Sequence, residues 1–159
     1  MIRAEGKTAM LRRIHHAGIT VADLDRSLGF YRDVLGLEVR VTMVRDTPDI
    51  GEVVGYPGAR LKIAFVGVPG DPTIVELLEY LEPRGTPRDP ETRNPAAGHV
   101  CFDVEDIHSL YERLVAAGAY VRSDGPVELK QGVNKGAFAL YCRDPDGYTV
   151  ELRQPPPSS

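Results

Sequence analysis

The sequence has no apolar run near the roughly 18 residues that a membrane-crossing helix needs. Its opening stretch, MIRAEGKTAMLRR, contains no apolar signal core. Positive charge is not in excess either: 19 Lys and Arg stand against 23 Asp and Glu, a net charge of −4. With no basic run and no basic-aromatic stripe, a nucleic acid is not an expected partner. Only two cysteines occur, Cys101 and Cys142, both inside strand-like runs. In a chain without a secretory signal they read as reduced, buried thiols rather than a disulfide. These absences together predict a cytoplasmic protein with neither a membrane nor a nucleic-acid partner. What is present, 42% apolar and 26% charged residues over 159 positions, suits one ordinary globular core.

The pattern repeats. HHAGITVADL (15–24) and GHVCFDVEDI (98–107) each alternate like a strand and close on Val-x-Asp-Leu or Val-x-Asp-Ile, where a helix begins. His16 and His99 each stand five residues before the closing valine. Alternation puts His16 on one strand face with Gly18 and Thr20, opposite Ala17, Ile19 and Val21. His99 likewise shares a face with Cys101 and Asp103. The same rule turns His15 away from His16, toward the surface.

In the first unit, a strand over 14–21 leads to a helix capped by Asp23, with Leu24, Leu28, Tyr31 and Leu35 inward and Gly36 ending it. Strands follow over 38–45, 60–68 and 73–80, with a Gly/Pro-rich loop over 47–59 that holds one helical turn. The second unit repeats this order: a strand over 98–104, a helix with Ile107, Leu110, Tyr111 and Leu114 inward, a short strand over 119–122, and strands over 136–143 and 148–153. The stretch EPRGTPRDPETRNPAA separates the two. The predicted organisation is an arm (1–13), a first βαβββ module (14–81), a linker (82–97), a second βαβββ module (98–154) and a tail (155–159). The fold class is α+β. The loops 47–59 and 123–135 are the expected lids.

The last strand of each unit carries a glutamate between apolar residues, Glu76 in TIVELLEY and Glu151 in GYTVELRQ. Alternation turns both carboxylates toward the face that the histidines share once the units pair. Two imidazoles and two carboxylates form a mixed N/O set suited to a borderline divalent metal ion (Ni, Co, Mn, Fe or Zn) with positions left for water or substrate. The plain alternative is a duplicated structural pattern without a metal.

The runs HHAGITVADLDRSLGFYRDVLGLEV, VELLEY, GHVCFDVEDI and RDPDGYTVEL closely resemble the vicinal oxygen chelate superfamily. That superfamily includes glyoxalase I, methylmalonyl-CoA epimerase, extradiol dioxygenases, fosfomycin-modifying transferases and bleomycin-binding resistance proteins. The resemblance implies paired βαβββ modules curled into a cup, with His16, Glu76, His99 and Glu151 as metal ligands. It also implies a homodimer. A substrate with two neighbouring oxygens would chelate the ion, an enolate or enediolate would be stabilised, and Glu151 would move the proton.

Within the superfamily the expectation is a glyoxalase-like lyase or isomerase acting on a small molecule. A ring-cleaving extradiol-type dioxygenase and a ligand-sequestering resistance protein stand as alternatives. Resemblance to glyoxalase I implies a glutathione-anchoring arginine where Thr20 stands and an asparagine where Tyr80 stands, so glutathione would lose its strand anchors. Thr20, Tyr80, Cys101 and Arg153 share faces with the four candidate ligands and are expected to line the substrate site.

Overall fold

Each half of the chain folds from the same local signals. The computed structural model describes residues 10–157; residues 1–9 of the expected arm and 158–159 of the expected tail lie outside the described residues. Strand β1 (Ala17–Val21) buries Ile19 and Val21 and exposes Gly18 and Thr20, as its alternation requires. Helix α1 (Leu24–Leu28) starts at Asp23, whose carboxylate accepts the Arg26 N–H at 2.9 Å. It runs on as a π-helix over Gly29–Val34, with the Leu35 N–H reaching back five residues to the Phe30 carbonyl at 2.9 Å. The chain then reverses at Gly36, whose φ of +83° suits a residue without a side chain. Leu24, Leu28 and Tyr31 are buried, and Leu35 packs against them.

Strand β2 (Glu38–Arg45), helix α2 (Pro48–Val54), β3 (Arg60–Gly67) and β4 (Val75–Glu82) complete the first unit. Its sheet has the order β1-β4-β3-β2, with β1 parallel to β4 and the other pairs antiparallel. The second unit has β5 (His99–Asp103), α3 (Ile107–Ala116), β6 (Val127–Glu128), β7 (Phe138–Arg143) and β8 (Thr149–Gln154). Its order, β5-β8-β7-β6 with β5 parallel to β8, repeats the first. The architecture is α+β, two four-stranded sheets with short helices, as the sequence predicts.

The repeat extends to a tie between each helix and its sheet. Glu79, three residues past Glu76, accepts the Leu24 N–H at 3.0 Å; Gln154, three past Glu151, accepts the Ile107 N–H at 2.9 Å. Each satisfies a donor that a helix start leaves without an internal partner. One apolar cluster joins the units, holding Ile19, Leu24, Tyr31, Val66 and Leu77 together with Ile107, Leu114, Leu140, Val150 and Leu152. Burying each such side chain contributes about 1.5–3 kcal/mol before the entropy of ordering it is set against that.

Two expectations need correction. No strand forms over 119–122: Val121 makes a single bridge to Cys142, and the ladder resumes only at β6. Asp124, Gly125 and Pro126 bend the chain between, and proline cannot donate to a ladder. Of the two thiols only Cys142 is buried; Cys101 is exposed, because it lies on the face of β5 opposite the core residues.

Candidate metal centre

The His and Glu of each unit meet on the sheet face turned away from the shared core. Parallel pairing of β1 with β4 sets Gly18 beside Glu76, and His16, just before β1, brings its Nε2 to 3.1 Å from Glu76 Oε2. In the second sheet Cys101 stands beside Glu151, and His99 Nε2 lies 3.0 Å from Glu151 Oε2. Two donor atoms about 3 Å apart have the separation of adjacent ligands around one ion with bonds of about 2.0–2.2 Å. The donor types, imidazole nitrogen and carboxylate oxygen, also fit a borderline divalent cation. The structure brings the four residues together as two pairs and not as one set. Among the described residues no three metal-binding side chains gather.

The surroundings of the pairs differ. Glu76 sits across from Phe65 on an apolar floor of Leu61, Ile63, Leu78 and Tyr80. Helix α2 covers that floor with Ile50 and Val54. It turns tightly enough that a Cβ on Gly51 would come within 3.0 Å of the Tyr56 carbonyl oxygen. The loop expected over 47–59 is therefore largely this helix, packed onto the site face. Glu151 sits across from Tyr141, whose ring lies 5.5 Å from that of His99.

His15 does not turn away from its neighbour. Its Nδ1 lies 2.9 Å from Nδ1 of His16. The alternation rule fails because β1 begins only at Ala17.

The four expected lining residues fall into two groups. Thr20 and Tyr80 border a cavity of about 350 Å³ together with the linker residues Arg84 and Arg88. Cys101 and Arg153 lie on the second sheet. Partial shielding of the Cys101 thiol, with the Glu151 and Asp103 carboxylates near it, pushes its pKa up to about 11. It is therefore a thiol and not a thiolate nucleophile at neutral pH. Arg153 forks onto Asp103 at 2.7 and 2.8 Å and donates to Asn134 Oδ1 at 2.9 Å. Its guanidinium is thus held within the protein. Sequence reasoning missed Arg84 and Arg88, which sit in a stretch without periodicity. It also missed Glu79 and Gln154, although their equal spacing from the two glutamates is visible in the sequence.

The glyoxalase/bleomycin resistance protein/dioxygenase superfamily profile matches residues 13–152. The ethylmalonyl-CoA/methylmalonyl-CoA epimerase of Cereibacter sphaeroides is 35% identical over 148 residues, 91% of this chain and 99% of that protein. The lactoylglutathione lyase of Neisseria meningitidis is 34% identical over 143 residues, 89% of this chain and 90% of that protein. Among solved structures, a glyoxalase family protein from Bacillus cereus superposes with a TM-score of 0.76 at 26% identity, covering 98% of this chain and 99% of the other. With two His–Glu pairs on duplicated βαβββ sheets and relatives named as an epimerase and a lyase, the chain belongs to the glyoxalase/bleomycin resistance protein/dioxygenase superfamily.

Proposed function

We propose that this protein is a divalent-metal-dependent lyase or isomerase that moves a proton on a small oxygen-chelating substrate, and that it works as a cytoplasmic homodimer. The observation that carries the reading is the pair of matching contacts, His16 Nε2 to Glu76 Oε2 at 3.1 Å and His99 Nε2 to Glu151 Oε2 at 3.0 Å. Each is half of a four-ligand set. Both lie on faces turned from the core that joins the two units, so one chain does not close the set. Among the described residues β1 and β5 are also sheet edges, each paired on one side only. A second copy that sets its β5 edge against β1 joins His16 and Glu76 to the partner's other pair, twice per symmetric dimer.

In this reading His16 and His99 offer neutral imidazole nitrogens and Glu76 and Glu151 offer carboxylates. A divalent cation held there supplies Lewis acidity toward the two substrate oxygens. Glu151 takes the proton from the neighbouring carbon on a carboxylate oxygen and returns it to the product. The names of the two relatives denote acyl groups carried on CoA and on glutathione. A substrate linked to a thiol carrier is the reading adopted for this chain.

Mixing two inactive variants tests both the ligand set and the dimer. Glu76→Ala and His99→Ala should each lose bound metal and turnover. A refolded mixture of the two should regain roughly a quarter of the wild-type sites, since a mixed dimer keeps one site intact. No recovery in a mixture shown to contain mixed dimers would rule out sites shared between copies. Full metal content in both single variants would rule out the ligand set.

A further inference from the structure

Resting on the reading above, we infer that the linker arginines Arg84 and Arg88 bind an anionic group, phosphate or carboxylate, at the far end of an elongated substrate. The cavity they border is about 350 Å³ and is walled by Thr20, Tyr80 and Tyr148. Thr20, on β1, lies four residues past His16, and Tyr80 four residues along β4 from Glu76. The two strands are parallel, so both steps run the same way. At about 3.3 Å per residue, Thr20 and Tyr80 stand roughly 13 Å along the sheet from the His16–Glu76 pair. A substrate with its reacting end at that pair reaches the cavity with its tail.

The charge in the cavity is available for a ligand. Asp146, its acidic member, already accepts the Ala22 N–H at 2.9 Å and pairs with Arg26. Among the described residues the one carboxylate near Arg84 is that of Glu79, no closer than 3.9 Å. Among the described residues Arg88 makes no ion pair and no side-chain hydrogen bond. Arginine presents a planar fork that matches phosphate or carboxylate in two hydrogen bonds. The rings of Tyr80 and Tyr148 in its wall suit an apolar or planar middle section of the ligand.

The linker that carries the arginines is fastened at both ends. It leaves β4 at Glu82, and Arg143 donates to the Pro90 carbonyl at 2.8 Å and to Glu91 at 2.5 Å. Arg122 adds a bond to Glu91 at 2.7 Å. Thr20 and Tyr80 bring no charge from the strands. In a chain with a net charge of −4, a local cation is needed to hold an anion, and here the linker supplies it.

Calorimetric titration at low salt tests this, with coenzyme A as the phosphate-bearing probe and glutathione as the carboxylate-bearing one. The proteins are the wild type, Arg84→Ala and Arg88→Ala, as purified and again after treatment with a chelator. Both arginines lie on the exposed linker, and circular dichroism confirms the fold of each variant. The wild type should bind at least one probe, and each substitution should weaken it about tenfold. Coenzyme A alone identifies a phosphate tail, and glutathione alone a carboxylate tail. Binding of neither probe, or binding unchanged in both variants, overturns the proposal. Chelation should leave the titrations unchanged, so a failure of the metal reading would not hide this result.

Discussion

The phenol of Tyr31 donates to Asp144 Oδ2 at 3.0 Å, joining the first helix to the DPDG turn 113 residues later. Asp144 Oδ1 accepts the N–H groups of Asp146 and Tyr148 at 2.9 and 2.8 Å, so the turn and the helix share one buried carboxylate. Arg113 adds a second link between the units, donating to the Asp33 carbonyl at 2.5 Å. Tyr31→Phe leaves Asp144 short of one partner in a buried setting and should cost about 1–3 kcal/mol. Denaturant unfolding of the wild type and the variant measures it.

Burial holds the Asp144 carboxyl above its ordinary pKa of 3.8, although the hydrogen bonds it accepts pull the other way. A carboxyl with a raised folded-state pKa contributes stability that is fully present below 3.8 and lost as pH rises through the folded value. Asp144→Asn cannot ionise and lacks that decline. The stability of the wild type relative to Asp144→Asn should therefore be greatest in acid and fall as pH rises. A difference independent of pH would show that burial does not shift this group.

The helix ties formed by Glu79 and Gln154 should each matter for stability. Glu79→Ala strands the Leu24 N–H and Gln154→Ala the Ile107 N–H, at a cost of about 1–3 kcal/mol each. Thermal melts of both variants should show lowered midpoints, with metal binding retained where the protein stays folded.

His15 should tune the centre without joining it. Were Nε2 of His16 bound to the ion, its ring proton would sit on Nδ1 and be donated to Nδ1 of His15, 2.9 Å away. Gly98 stands at the equivalent place in the second unit, so His99 has no such neighbour. His15→Ala should weaken metal affinity by about 10–100-fold, and equilibrium dialysis against a metal buffer reads it directly. An unchanged affinity would reduce the contact to a surface pairing.

Glu151→Gln should hold the fold and lower turnover by roughly 10²–10⁴, the usual scale for removing a general base. Exchange of solvent deuterium into the substrate should fall in parallel. If exchange falls instead in Glu76→Gln at full metal occupancy, the base is Glu76.

The repeat, the α+β class, the Asp23 cap and the inward faces of the helices follow from the sequence, because each rests on a period of two or 3.6 and on side chains a few residues apart. The four candidate ligands were legible for the same reason, since strand alternation and equal spacing mark their faces. The sequence also carries the superfamily's motifs, but not what those motifs do in space: the Tyr of FYRDVLGL and the Asp of RDPDGY bond to each other. Alternation misplaced His15, which stands outside the strand, and the 119–122 stretch, where a bend broke the ladder. The joining of the units through one apolar cluster, and so the separation of the two His–Glu pairs, is set by packing between distant segments. Tertiary structure alone brought Arg84 and Arg88 to the cavity of Thr20 and Tyr80, because an aperiodic linker takes its path from the surfaces to which it is fastened.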